Sequence, residues 1–296
     1  MSATTTVARA QLTVDLGRTS GGRSRWTALR RSPRTMIGLA IVVAICVIAV
    51  AAPVVGRYDP SYGDFSAMLT EPSVEHLLGT DGFGRDVFAR VAYGFRVSMV
   101  VAFGSVFCAI LVGLPLGLIA GYWGGLVDNL IMRPLDLLLA FPPILLAITL
   151  IAVFGTGTSV TIIALALIYV PIMARILRSS VVSVRSEEFV EAIRSVGASP
   201  TRVMLRHVLP NSLGPLIVQA SVSMGIAILI EAALSFIGLG TQPPDPSLGG
   251  MLAESKDFMR EAPWSVTFPG LAIMFAVLGF NLIGDGLRDL IDSGRR

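Results

Sequence analysis

The residues able to do chemistry are few in this 296-residue chain, and their spacing excludes more than it offers. The two histidines, His76 and His207, are far apart in sequence, and neither has a partner at metal-ligand spacing. No metal site is expected, and His207 reads as a structural or docking residue. The two cysteines, Cys46 and Cys108, lie inside apolar runs. They read as small core hydrophobes rather than as a disulfide or a thiolate zinc site. The single lysine, Lys256, follows Ser255 and not a glycine, so a phosphate-cradling G-x-x-x-x-G-K-S/T loop is impossible. If ATP drives this protein, another chain hydrolyses it. No convergent nucleophile and base appear, so no catalytic residue is expected. Two carboxylates stand out by place: Asp136 opens one apolar stretch and Glu231 closes another. An acid at the centre of a bilayer costs roughly 3 kcal/mol, and less at the end of a span. Both are taken as membrane-edge carboxylates. For Glu231 two readings stay open, a partnered structural group or a group at a pathway or docking surface.

The elements that hold these residues are apolar. Of the chain, 53% is hydrophobic and 15% charged, too little charge for the surface of a soluble globule of this size. The apolar residues fall into six runs near the roughly 20 residues needed to cross a bilayer. They are 36–55, 98–121, 137–154, 156–174, 212–230 and 266–284. The expected class is an all-α membrane protein with six transmembrane helices. The first run holds eleven Ile, Val or Leu residues. At its centre these favour insertion by about 3 to 7 kcal/mol before other terms. It starts too late and is too long for a cleaved signal peptide, so it is expected to stay as a first span. The fourth run has Pro171 near its end and Arg175 just after it, and is expected to continue as a helix beyond the membrane.

Arginine placement orients the spans. Residues 1–35 carry seven Arg and one Asp, and 175–211 carry six Arg and three Glu. The loops 57–97 and 236–265 carry six basic and ten acidic residues together. With six spans, both termini and 175–211 share one side, which the positive-inside rule makes the cytoplasm. The expected location is the plasma (inner) membrane. Residues 1–35 read as a disordered basic arm, either a topogenic signal or a contact to anionic membrane lipid through Arg23, Arg25, Arg30, Arg31 and Arg34. Residues 36–56 are the first span and 57–97 an outer loop. Residues 98–284 are the core, with a hairpin at 186–210, and 285–296 a cytoplasmic tail.

Local patterns add detail. Gly113, Gly117 and Gly121 repeat every fourth residue, with Gly125 following. They form a smooth face for close helix packing, with Pro115 a possible hinge between them. Phe141-Pro142-Pro143 predicts a kink in the third span. Gly79–Ser98 reads as an amphipathic interfacial helix capped by Thr80 or Asp81. Phe83, Val87, Val91 and Phe95 would share a face, with an Asp86–Arg90 pair.

The most informative stretch is SEEFVEAIRSVGASPTRVMLRHVLPN, residues 186–211. Ser186 reads as an N-cap, with Glu187 and Glu188 favourable at the helix start. Phe189, Ile193 and Val196 share a face, and Gly197 stands where a glycine ends a helix. Ser199-Pro200 opens a second helix, which Pro210 is expected to end. A capped hairpin with an apolar stripe and both signs of charge predicts a docking element for a soluble partner.

These residues carry a resemblance. Glu191-Ala192-Ile193, Gly197 and Leu209-Pro210 resemble the E-A-A loop of ABC importer permeases, with Ile193 for the second alanine and His207 in the usual isoleucine place. HLLGTDGFGRDVFARVAYGFRVS (76–98), LDLLLAFPPILLA (135–147), EAALSFIGLGTQPPDPSLGGML (231–252) and GDGLRDLID (284–292) resemble the dipeptide/oligopeptide/nickel transporter permeases, C-type subunit. The likeness runs from about residue 36 to 293. It implies a type I importer fold and half of a translocation pathway. It also implies a B-type permease partner, two cytoplasmic ATPases that bind ATP and Mg, and an extracytoplasmic substrate-binding protein. No cofactor is expected in this chain, and no nucleic-acid partner. By the same likeness Glu188, Glu191, Ala192, Ile193, Arg194, Gly197, Ala198 and Ser199 would be coupling positions. His207, Leu209 and Pro210 would be structural at the loop's end.

Two rivals are disfavoured. An ion-coupled carrier predicts paired charges at the midplane or inverted repeats, and an intramembrane enzyme predicts a nucleophile and base. The resemblance implies peptides (dipeptide- or oligopeptide-like) as the substrate, with nickel or another small solute as the alternative, although no pore-lining residue can be named from the sequence.

Overall fold

The computed structural model describes residues 33–293. Most of the expected basic arm lies outside the described residues, as do positions 294–296 of the tail. Among the described residues the chain is almost wholly helical, with no strand beyond one isolated bridge, Thr80 to Asp86. The helices are α1 (Pro33–Val55), α2 (Val87–Trp123), α3 (Gly125–Leu139), α4 (Pro143–Phe154) and α5 (Thr158–Arg185). They continue as α6 (Glu188–Ser195), α7 (Pro200–Val203), α8 (Leu209–Phe236), α9 (Leu248–Ser255) and α10 (Trp264–Ser293). Five helical runs are long and apolar enough to cross a membrane: α1, α2, α5, α7 with α8, and α10. The bent pair of α3 and α4 makes a sixth.

Several boundaries differ from the expectation. Helix α1 already includes residues 33–35, inside the stretch read as a disordered arm. No separate interfacial helix exists over Gly79–Ser98. Residues 79–86 are loop, and α2 runs unbroken for 37 residues, about 55 Å at roughly 1.5 Å per residue. Its cap is Asp86, whose side chain accepts from the Ala89 N–H at 2.7 Å. Thr80 and Asp81 do not cap it because the loop uses them: the Thr80 hydroxyl donates to the Ala67 carbonyl, and Asp81 accepts from the N–H groups of Phe83 and Arg85. Asp86 pairs with His76 and not with Arg90.

The third span is broken and not merely kinked. Its first residues, Leu137–Leu139, belong to α3, and α4 leaves α3 at 89°. Pro142 is extended and Pro143 lacks a donor, so the helical ladder cannot cross Phe141-Pro142-Pro143. Helix α4 is 12 residues, about 18 Å, shorter than a hydrocarbon core. Helix α5 runs on to Arg185 as the sequence suggests, and α10 continues through the segment read as tail, to Ser293.

The core lies among α2, α5 and α8. Val101, Val106, Leu165, Met173, Leu177, Val181, Ile228 and Leu234 are fully buried there. The glycine stripe seats α2 on α5 within this chain. A Cβ at Gly113 would meet the Met173 Cβ at 2.9 Å, one at Gly117 the Ala174 carbonyl at 2.4 Å, and one at Gly121 the Arg178 carbonyl at 2.8 Å. Gly125 takes no part in the packing. A second close approach, not evident from the sequence, seats α1 on α10. There a Cβ at Gly38 would meet the Gly279 carbonyl at 2.8 Å. Small residues let backbones touch, so the contact area gained is dispersion rather than side-chain interlock.

Candidate functional site: the hairpin between α5 and α8

Connectivity places two sets of segments at opposite ends. One end holds the hairpin, the α2–α3 turn, and the start of α1 with the end of α10. The other holds the loops 56–86 and 237–263.

At the hairpin end, Ser186 does not cap α6. Its hydroxyl donates back to the Ser183 carbonyl at 2.8 Å and closes α5. Glu187 stands at the N-cap without a side-chain cap bond, while Glu188 and Glu191 occupy the first turn, where the helix dipole favours acids. One face packs on the body: Val190 is fully buried, and Phe189 and Ile193 are half-buried. Val196 does not join that face; it is 84% exposed at the tip. Glu188, Glu191, Ala192, Arg194, Gly197 and Ser199 are exposed, and Ala198 is half-buried. Gly197 has φ +82°, and its N–H donates to the Arg194 carbonyl at 3.0 Å. Nothing lies within 4 Å of where its Cβ would be, so the glycine is needed for backbone conformation alone.

Ser199 and Pro200 open α7 as expected, although the Ser199 side chain makes no cap bond. Pro210 does not end the helix. A π turn, Met204–Val208, precedes α8, and the Leu209 N–H reaches the Met204 carbonyl. Pro210 has no N–H for the Arg206 carbonyl and its ring would press on it, so one wider turn absorbs the proline and the helix continues into the span. His207 is half-buried and its carbonyl accepts from Asn211 at 2.7 Å. Leu209 is half-buried and Pro210 exposed.

The hairpin and the end of α5 are fastened to the α2–α3 turn by Arg194, already among the expected coupling positions, and by Arg178 and Arg185, which sequence patterns do not single out. Arg185 Nη1 donates to the Tyr122 carbonyl. Arg194 sits over the Tyr122 ring, 5.6 Å from its centroid. Arg178 Nε donates to Asp128 Oδ1 at 2.5 Å, and its Nη2 donates to the other carboxylate oxygen. Asp136, expected at the membrane edge, pairs with Arg175 at 2.5 Å, with both side chains about half exposed (53% and 55%).

Glu231 lies within α8 and not at its end, since the helix continues to Phe236. It is 1% exposed and accepts from Ser98 at 2.9 Å and Ser235 at 2.8 Å. It thus joins α8 to α2. Beyond it, at the loop end, is a cluster drawn from distant segments. Asp81 accepts from Arg85 Nε at 2.7 Å, and Arg85 and Arg90 both donate to Glu254. Arg90, 3% exposed, also donates to the Pro60 carbonyl at 3.0 Å. The Trp264 indole donates to the Thr80 carbonyl at 3.0 Å. Gly84, φ +70°, brings the chain against Asp64, whose carbonyl would lie 1.8 Å from a Cβ there. The Ser66 hydroxyl and N–H hold the Asp64 carboxyl below its usual range. The signal for this cluster was the density of charge in HLLGTDGFGRD, but its partner Glu254 is too distant in sequence to be paired with it by inspection.

Among the described residues, no group of three or more His, Cys, Asp or Glu side chains is placed to hold a metal.

Comparison with known proteins bears on this arrangement. Residues 113–296 match the binding-protein-dependent transport system inner membrane component family, and residues 21–72 the N-terminal transmembrane domain of oligopeptide transport permease C. The dipeptide transport system permease protein DppC of Alkalihalophilus pseudofirmus is 47% identical over 270 residues, 91% of this chain and 89% of that one. The di/tripeptide transport system permease protein DppC of Pseudomonas aeruginosa is 41% identical, over 90% of each chain. The glutathione transport system permease protein GsiD of Escherichia coli is 42% identical, over 90% of this chain and 88% of that one. Among solved structures, an inward-facing MetNI methionine ABC transporter superposes with a TM-score of 0.56 at 19% identity, over 68% of this chain and 95% of that one. That likeness speaks for the fold alone. Family matches over both parts of the chain, with full-length relatives above 40% identity, settle the membership: the chain belongs to the binding-protein-dependent transport system inner membrane components, as a C-type permease of the dipeptide/oligopeptide/nickel ABC importer group.

Proposed function

We propose that this chain forms half of the translocation pathway of an ATP-driven importer for short peptides, and that the α6–α7 hairpin is where separate ATPases push on it. The observation that carries the reading is the division of α6 into two faces. Val190, Phe189 and Ile193 fix it to the body, while Glu188, Glu191, Ala192 and the tip residue Val196 are left outward. A short, rigid, half-exposed helix on two membrane-length helices is a handle, and a soluble partner that binds it differently in two states shifts the helices between two arrangements. The peptide substrate is supported by the relatives, whose names specify dipeptides, di/tripeptides and glutathione. The arginines of α5, α6 and α7 support placing the hairpin end in the cytoplasm. The partners are then a B-type permease beside this chain, two ATPases carrying ATP and Mg beneath the hairpin, and a substrate-binding protein at the loop end.

The test is deletion of residues 186–199 in the chain co-expressed with its partner permease and ATPases. ATPase co-purification and peptide-stimulated ATP turnover should both be lost, along with uptake of a labelled dipeptide. Survival of assembly and of stimulated turnover would overturn the reading.

A further inference from the structure

A push on α6 is useful only if the rest of the chain cannot slip past it. The geometry points to Arg178, Arg185 and Arg194 as positioning residues that bind the hairpin, the lower part of α5 and the α2–α3 turn into one moving body, with Tyr122 and Asp128 as the points where they grip. This rests on the reading of the hairpin as the coupling element.

Arg178 and Arg185 of α5 are seven residues apart, two helical turns, and so lie on one face. That face meets the end of α2 and the start of α3. Arg178 holds Asp128 of α3 through two nitrogens and both carboxylate oxygens, a bidentate geometry that fixes orientation as well as distance. Arg185 donates to the carbonyl of Tyr122, one of the last in α2, where the helix has no donor of its own to satisfy it. The same tyrosine offers its ring to Arg194 of α6. Tyr122 is therefore held by its backbone from α5 and by its ring from α6. Its own ring is buried and set edge-on to Trp123, 5.3 Å between centroids.

There is no slack behind these contacts. Gly117 and Gly121 bring the α2 backbone against Ala174 and Arg178, so α2 cannot slide on α5 without backbone collision. Helix α3 moves with them as far as the 89° bend, where the double proline ends helical continuity. Displacement of α6 thus reaches α2 and α3 through Tyr122 and Asp128, not through the hairpin connection alone.

The experiment uses the whole transporter, this chain with its partner permease, ATPases and binding protein, in lipid nanodiscs. ATP turnover is read with and without the binding protein loaded with dialanine. Arg178→Asp and Asp128→Arg, each alone, should lower the stimulated-to-basal ratio about tenfold, within the usual range of coupling between sites. Assembly and basal turnover should stay near those of the parent. The double variant, with the charges exchanged, should recover most of the ratio. Because charge reversal risks misfolding, Arg178→Gln and Tyr122→Leu serve as milder probes. Both should lower the ratio in a fully assembled complex, while Tyr122→Phe, which keeps the ring, should not. A parent-like ratio in the assembled single variants overturns the inference, and so does failure of the exchanged pair to recover. Glu191→Arg is the control for the underlying reading. If it uncouples while the Arg178 and Tyr122 variants do not, only this inference falls. If it has no effect, the hairpin reading falls with it.

Discussion

The two ends of the molecule use the same residue types in opposite ways. At the loop end, Asp81, Arg85, Arg90 and Glu254 come from segments on either side of the bundle and meet in a mostly buried cluster, locked further by Trp264 on Thr80. At the hairpin end, Arg175 and Asp136 meet half in solvent, and α6 leaves Glu188 and Glu191 exposed. Burial makes the first set stiff, because separating buried charges leaves each without water. Exposure makes the Arg175–Asp136 pair weak, and it leaves the acidic face of α6 open to a partner. One end is a buried charge cluster that acts as a fixed platform, and the other carries the exposed helix proposed above as the handle.

The largest expected effect is therefore at the loop end. Arg90→Ala should remove the most buried member of the cluster and leave the Pro60 carbonyl and part of Glu254 without a donor. Loss of one partner of a buried pair costs about 3 to 5 kcal/mol, and the low end applies here because Arg85 still holds Glu254 and Asp81. Thermal unfolding in nanodiscs, with hydrogen exchange across residues 56–86, measures it. A loss no larger than that of an exposed arginine would remove the distinction between platform and handle.

An intermediate effect is expected at the hairpin's turn. Gly197→Ala has open space for its methyl group but must hold φ near +82°, at a cost of roughly 1 to 2 kcal/mol. The global unfolding midpoint should barely move, since α6 carries little of the core. The ratio of stimulated to basal ATP turnover should fall clearly, because the angle between α6 and α7 is what that glycine sets. A fall in unfolding midpoint equal to that of Arg90→Ala, with coupling intact, would reverse the roles given to the two ends.

What the sequence made legible follows the range of the forces involved. Gly197 and Ser199-Pro200 act within a turn, so the hairpin's existence and its turn could be read directly. The glycine stripe was readable as a packing face, although its seat on α5 was not. A cap differs from its local expectation where a loop competes for the same side chain: Thr80 and Asp81 are good N-caps in isolation, but Ala67, Phe83 and Arg85 occupy them, and Asp86 takes the role. Pro210 reads locally as a helix stop, but a π turn carries the helix past it, which no local rule on proline predicts. The grips on Tyr122 and Asp128 link residues 63 and 50 positions apart through folding alone, and no periodicity marks them. Glu231 was visible as an anomaly, but its two serine partners depend on how α2 and α8 pack.

The smallest effect should come from Arg175→Ala, and it sharpens the comparison most finely, because Arg175 and Arg178 sit one turn apart on α5 and each faces an aspartate of α3. Arg175 and Asp136 are both about half exposed, whereas the Asp128 side chain is 15% exposed beneath Arg178. An exposed pair contributes about 0 to 1 kcal/mol and is screened by salt. Arg175→Ala should therefore change stability by less than about 1 kcal/mol, and raising the salt should shrink even that. Coupling should stay near the parent value, because the bidentate grip one turn away is untouched. Measured beside Arg178→Gln at low and high salt, it separates a helix held by its summed charge from a helix held at one oriented contact. Equal losses from the two variants, both abolished by salt, would mean that α3 follows α5 by diffuse attraction. A loss confined to Arg178→Gln and insensitive to salt is what a directional grip requires.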